Sequence, residues 1–275
     1  MDTTIRRGMA AELLGTFAVV YFSAGAVCVN FLTATGTTPS PLHAQQPGLI
    51  GVALAQGLTL AAALAVTVKV SGGFLNPAIT LMLWVFNRLD NRRTVLFLFA
   101  QLAGAVIAGA CLRFTFADTV LHEARMGTPH LNPLTFGSTR AAGAIVAGTT
   151  VELLLTFFLV FAIFGATWGS VDPERAALPA GLMLVAGTVV AGPITGACTN
   201  PARWFGTVIW EQLLPEQANP WGDTFVFLAG PILGALLAGL VLHRFLFAGM
   251  AESSQPKPLA GAVPAKLPVG LAKKK

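Results

Sequence analysis

Apolar positions along this chain gather into long runs rather than scattering between polar ones. Reading for runs of about 20 residues, the length of helix that crosses roughly 30 Å of hydrocarbon, gives six segments. They lie near Ala10–Leu32, Leu49–Val70, Thr94–Phe114, Ala144–Thr167, Ala176–Pro193 and Thr224–Phe247. Arg6 and Arg7 precede the first run as they would a signal peptide, but it has no clear small-residue cleavage motif before polar sequence. It is therefore expected to stay as a span.

Two further apolar stretches are too short to span and are interrupted by Gly and Pro. One is Ser71-Gly-Gly-Phe-Leu-Asn-Pro-Ala-Ile-Thr80, the other Thr195-Gly-Ala-Cys-Thr-Asn-Pro-Ala-Arg-Trp204, and their Asn-Pro-Ala triplets start at Asn76 and Asn200, an offset of 124. The similarity extends beyond them. Gln101-Leu-Ala-Gly104-Ala105 in the third run matches Pro231-Ile-Leu-Gly234-Ala235 in the sixth at an offset of 130, and Glu12-Leu-Leu-Gly-Thr-Phe matches Glu152-Leu-Leu-Leu-Thr-Phe at 140. The chain is thus a duplication. Each half carries three spans, an odd number, so the second half enters the membrane from the opposite side and the halves form inverted repeats. The predicted fold is an all-α membrane protein of six transmembrane helices plus two re-entrant half-helices. A single membrane domain is expected over residues 1–247, with repeats at about 8–115 and 141–247, and a disordered basic cytoplasmic tail over 248–275.

Composition agrees: 55% of residues are hydrophobic and 11% charged, against roughly 25% charged in an ordinary soluble chain. The net charge of +5 then bears on orientation. With the amino terminus in the cytoplasm, the inner side receives Arg6, Arg7, Lys69, Arg88, Arg92, Arg93, Arg175, Arg244, Lys257, Lys266 and Lys273 to Lys275, and the other side keeps Arg113, Arg125, Arg140 and Arg203. That asymmetry predicts both termini in the cytoplasm of a multi-pass plasma or inner membrane.

The Asn-Pro-Ala triplets carry the chemistry. Asn is a strong N-cap and Pro fits the first helical position, so Asn76-Pro77-Ala78 and Asn200-Pro201-Ala202 should each open a half-helix, roughly 77–86 and 201–210. The carboxamide NH₂ groups would then point into a central cavity with two positive helix ends behind them. Non-helical backbone at membrane depth survives only against protein or beside water, so the carbonyls of 72–75 and 196–199 read as acceptor ladders. Water can exchange hydrogen bonds along such a path. Cations and protons meet two helix ends and Arg203.

These residues resemble the aquaporins and glycerol facilitators, the major intrinsic proteins, over about residues 8 to 247. The resemblance implies a selectivity filter of Gln56, Thr188, Ala197 and Arg203, buried Glu12 and Glu152 supporting the re-entrant loops, and a homotetramer. Strict water channels of the family usually place a bulky aromatic and a His where this chain has Gln56 and Thr188, which implies a wider, more polar filter. Glycerol facilitators usually follow the filter Arg with Asp and later a Lys, where this chain has Trp204 and Val208, and Phe74 replaces the family's common His. The function expected is passive conduction of water, with small uncharged solutes left open. A glycerol- or urea-type facilitator is the alternative, and an ion-coupled secondary transporter a more distant one. No cofactor, metal or nucleic-acid partner is expected. His43, His122, His130 and His243 lack ligand spacing, Cys28, Cys111 and Cys198 form no disulfide framework, and no enzyme constellation occurs. Cys198 borders the second loop and reads as an inert buried thiol, with mercury sensitivity as the other reading.

Overall fold

The computed structural model describes residues 3–34, 47–136, 142–167, 173–215 and 219–246. His43, Arg140 and the expected tail at 248–275 lie outside them. Among the described residues there is no strand. In chain order the α-helices are α1 (Thr3–Ala34), α2 (Gly48–Thr67), α3 (Pro77–Val85), α4 (Asn91–Thr115), α5 (Asp118–Glu123), α6 (Pro133–Phe136), α7 (Ala142–Thr167), α8 (Ala177–Thr195), α9 (Pro201–Glu211) and α10 (Thr224–Val241).

Six helices, α1, α2, α4, α7, α8 and α10, are long and apolar enough to cross a membrane, and they coincide with the six runs. Their ends differ for local reasons. The first helix starts at Thr3 rather than Ala10, because it continues past the apolar run through Arg6 and Arg7. An Asp90 side chain that accepts from the Arg93 N–H starts α4 at Asn91. Pro193 does not end α8, which runs on to Thr195 and stops where Gly196 turns left-handed at φ 84°. Large apolar side chains stay exposed on the spans, among them Leu14, Val66, Phe99, Val146, Leu182 and Val190, a surface suited to lipid and unsuited to water.

In one half α1 packs on α2 and α4; in the other α7 packs on α8 and α10. The halves join where α2 crosses α8, and where each half-helix leans on the other half's third span, α9 on α4 and α3 on α10. The α2–α8 crossing depends on two glycines. A Cβ on Gly57 would collide with the Gly181 carbonyl, and one on Gly181 would meet the Gly57 carbonyl. These residues are themselves 124 apart, so the crossing sits on the pseudo-two-fold relation of the repeats. Close approach of this kind needs small residues between membrane helices.

Candidate functional site

The two short segments fold alike because a buried glutamate holds each. Glu12 accepts hydrogen bonds from Ser71 Oγ (2.6 Å), Phe74 N (3.0 Å), Leu75 N (2.7 Å) and Gln101 Nε2 (2.7 Å). Glu152 accepts from Thr195 Oγ1 (2.6 Å), Cys198 N (3.0 Å) and Thr199 N (2.8 Å). Both carboxylates are fully buried. The matched donors Ser71 and Thr195, Phe74 and Cys198, Leu75 and Thr199 all keep the offset of 124. The backbone they fix is strained, with left-handed φ of 51° at Leu75, 48° at Ala197 and 53° at Thr199. Such φ values cost about 1–2 kcal/mol each for side chains with a Cβ, and the charge-assisted hydrogen bonds offset that cost.

At each tip the Asn is extended and caps its helix as the sequence predicts. Asn76 Oδ1 accepts from Ala78 N and Asn200 Oδ1 from Ala202 N, both at 2.9 Å, with Pro77 and Pro201 opening α3 and α9. The carboxamide NH₂ groups do not point wholly into a cavity, however. Asn76 Nδ2 donates to Thr199 O and Asn200 Nδ2 to Leu75 O, each at 2.9 Å. One N–H of each amide therefore ties the two loops together, and the last carbonyl of each predicted ladder is already accepting. The amide's second N–H is what remains for a solute.

Both Asn residues line a narrow cavity that also touches Ser23, Gln56, Leu64, Phe74 and Arg203. Its space for water is about 20 Å³, enough for very few molecules when one needs roughly 10–15 Å³. Above it opens a vestibule of about 500 Å³ lined by Gln56, Thr188, Arg203, His130 and neighbours. Gln56 and Arg203 border both spaces. Thr188 Oγ1 donates to Gln56 Oε1 at 3.2 Å, and Arg203 is 3% exposed with Nε and Nη1 lacking a protein partner. A buried guanidinium left so needs acceptors from whatever occupies the channel. Gln56, Thr188 and Arg203 are thus brought together. Ala197 is fully buried and lines neither space, though its neighbours do: Gly196 the vestibule and Cys198 the narrow cavity.

Sequence reading missed several participants. Gln101 is fully buried and bridges Glu12 and Thr80, a role its match Pro231 cannot copy. Ser23 puts an Oγ with no protein partner on the narrow cavity; a lone hydroxyl inside an apolar run was the available signal. His130, which lacks ligand spacing in the sequence, joins a polar cluster. Its Nε2 lies 2.8 Å from Glu211 Oε2 and its Nδ1 3.1 Å from Asp223 Oδ2, while Arg125 Nε donates to Glu211 Oε1 at 2.7 Å. This cluster fastens the vestibule wall to the end of α9. Among the described residues no group of His, Cys, Asp and Glu could hold a metal ion, and the three cysteines are free.

A family model described as major intrinsic protein matches residues 2–242. The chain belongs to the major intrinsic protein family. That is a family of passive channels rather than enzymes. Aquaporin TIP4-4 of Zea mays is 34% identical over 264 residues, covering 93% of each chain. Aquaporin AqpM of Methanothermobacter marburgensis is 32% identical, over 84% of this chain and 93% of its own. The aquaglyceroporin from Plasmodium falciparum superposes with a TM-score of 0.71 at 21% identity, covering 88% of this chain and 96% of that one. That likeness supports the all-α six-span fold with two half-helices.

Proposed function

We propose that this protein is a passive membrane channel that conducts water through the narrow cavity and excludes ions and protons. The observation that carries the reading is the meeting of two Asn-capped helix N-termini on one cavity, with the unpartnered donors of Arg203 at its mouth. A neutral molecule can accept from those donors in turn, whereas a cation meets three positive ends in a narrow cavity that, among the described residues, no carboxylate lines. Glu12 and Glu152 face the loop N–H groups instead, as supports. Membership of the major intrinsic protein family supports the same reading, as do relatives named as aquaporins. The filter is Gln56, Thr188 and Arg203; Ala197, fully buried and lining neither space, is left out of it.

A facilitator of urea or glycerol is the second reading, favoured by the Gln56–Thr188 pair, which puts hydrogen-bonding groups rather than an aromatic beside Arg203. An ion-coupled transporter fits less well, because the broken segments are separate from six continuous spans. The asymmetry of Lys and Arg supports a cytoplasmic position for both termini, and membership of the major intrinsic protein family supports a homotetramer. Stopped-flow shrinkage of proteoliposomes tests the function. Water flux with a low activation energy, unaffected by proton or sodium gradients, is expected; flux that requires either gradient would overturn it. Repeating the assay with urea and glycerol separates the two solute readings.

A further inference from the structure

Three spans line both the narrow cavity and the vestibule, and each crosses from one space to the other within a turn. On α2 the narrow cavity touches Leu60 and the vestibule Val52, while Gln56 between them borders both. On α8 Leu184 lies on the narrow cavity and Gly192 on the vestibule, with Thr188 between. On α1 Val19 and Ser23 line the narrow cavity and Val27 the vestibule. Steps of four residues keep one helix face turned to the path, so Ser23 stands on α1 where Gln56 and Thr188 stand on their helices. The neighbours one turn to either side lack polar side chains in all three. Packing agrees with that level. Val20 shares a buried cluster with Ala202, the residue before Arg203, and a Cβ on Gly127 of the vestibule would collide with the Ala24 carbonyl. Hydroxyls inside helices commonly bond back to the carbonyl four residues earlier, as Thr115 does to Cys111 and Thr150 to Val146. Ser23 is 1% exposed, and its Oγ has no partner among the described residues. A buried hydroxyl left so is costly unless an occupant of the channel bonds it.

We infer that Ser23 is a specificity-determining residue: its Oγ joins Gln56, Thr188 and Arg203 in the filter and favours small neutral molecules that both donate and accept several hydrogen bonds, the class for which urea is a simple probe. Arg203 only donates, and Gln56 Oε1 already accepts from Thr188. A molecule whose oxygen accepts from Arg203 still carries hydrogens that need acceptors. Carbonyls of the second re-entrant loop serve on their own wall, and Ser23 adds an acceptor and a donor on the wall made by α1. The more hydrogen bonds a solute must leave behind in water, the more one replacement at the filter matters to it. This rests on the narrow cavity being the conduction path.

The test uses the full chain in proteoliposomes, with protein per vesicle quantified and water and urea permeability measured for each variant. Ser23→Ala removes the hydroxyl and leaves slightly more room. The urea-to-water permeability ratio is expected to fall roughly threefold or more, as the loss of one hydrogen bond implies; a position acting through size alone would keep the ratio or raise it. Ser23→Thr and Ser23→Val are matched in size and differ in the hydroxyl, so the ratio in Ser23→Thr should exceed that in Ser23→Val by a similar factor. The melting temperature of Ser23→Ala in detergent should not fall, since the hydroxyl bonds nothing within the described protein. An unchanged or higher ratio in Ser23→Ala, equal ratios in the Thr and Val variants, a lower melting temperature, or a parent that passes water but no urea would each overturn the role of Ser23 and leave the water channel standing. No flux of either molecule above protein-free vesicles in the parent would remove the channel reading, and this inference with it.

Discussion

Glu152 and Glu12 show how much a single buried side chain can decide. Each satisfies backbone N–H groups of a loop that could not otherwise be non-helical at membrane depth. Glu152→Gln would turn one acceptor into a donor facing N–H groups. It is expected to destabilise the protein by about 2–3 kcal/mol, read as a lower melting temperature in detergent, with water flux falling in parallel. Arg203→Ala removes the guanidinium at the junction of vestibule and channel. Permeability to small cations or larger neutral solutes should then increase in liposome flux assays; a variant that behaves like the parent would show that the filter lies elsewhere. The cap chemistry of Asn76 and Asn200 was readable from three-residue triplets. Their cross-loop hydrogen bonds were not, because the partners lie 123 and 125 residues away, and no local rule predicts which distant carbonyl an amide will meet.

At the scale of elements, the half-helices matter most. Nine residues in α3 and eleven in α9 are too few to cross hydrocarbon and marginal as isolated helices, so each depends on packing, most of which the other half supplies. The α2–α8 contact has the same dependence. Gly57→Val would force the two spans apart and separate Gln56 from Thr188. The expected cost is about 1–3 kcal/mol, measured as reduced thermal stability, together with altered solute selectivity in swelling assays. Span positions were legible because hydrocarbon thickness imposes a length on apolar runs. Their ends were less so, since Asp90 capping and the passage of α8 through Pro193 depend on local hydrogen bonding rather than on hydropathy.

Across the whole molecule, the even number of candidate spans and the distribution of basic residues support the proposed cytoplasmic position of both termini. A reporter active only in the cytoplasm should therefore work when fused to either end, and one active only outside should fail at both; the reverse result would invert the channel. The vestibule wall adds a second whole-molecule feature, since Arg125 and His130, Glu211, and Asp223 come from three separate stretches of chain. Glu211→Gln, which removes the carboxylate that Arg125 and His130 share, should destabilise by about 3 kcal/mol; a melting point equal to the parent's would show that the cluster does not hold the wall. The sequence by itself determined the spans, the inverted repeat and the two capped tips, because those follow from run length, parity and the preferences of Asn and Pro. Only the tertiary structure decided that the tips are bonded to each other, that Gln101 joins Glu12, and that Ser23 lines the narrow cavity. Those facts depend on which faces of separate helices converge, and convergence is a property of packing across more than a hundred residues of chain.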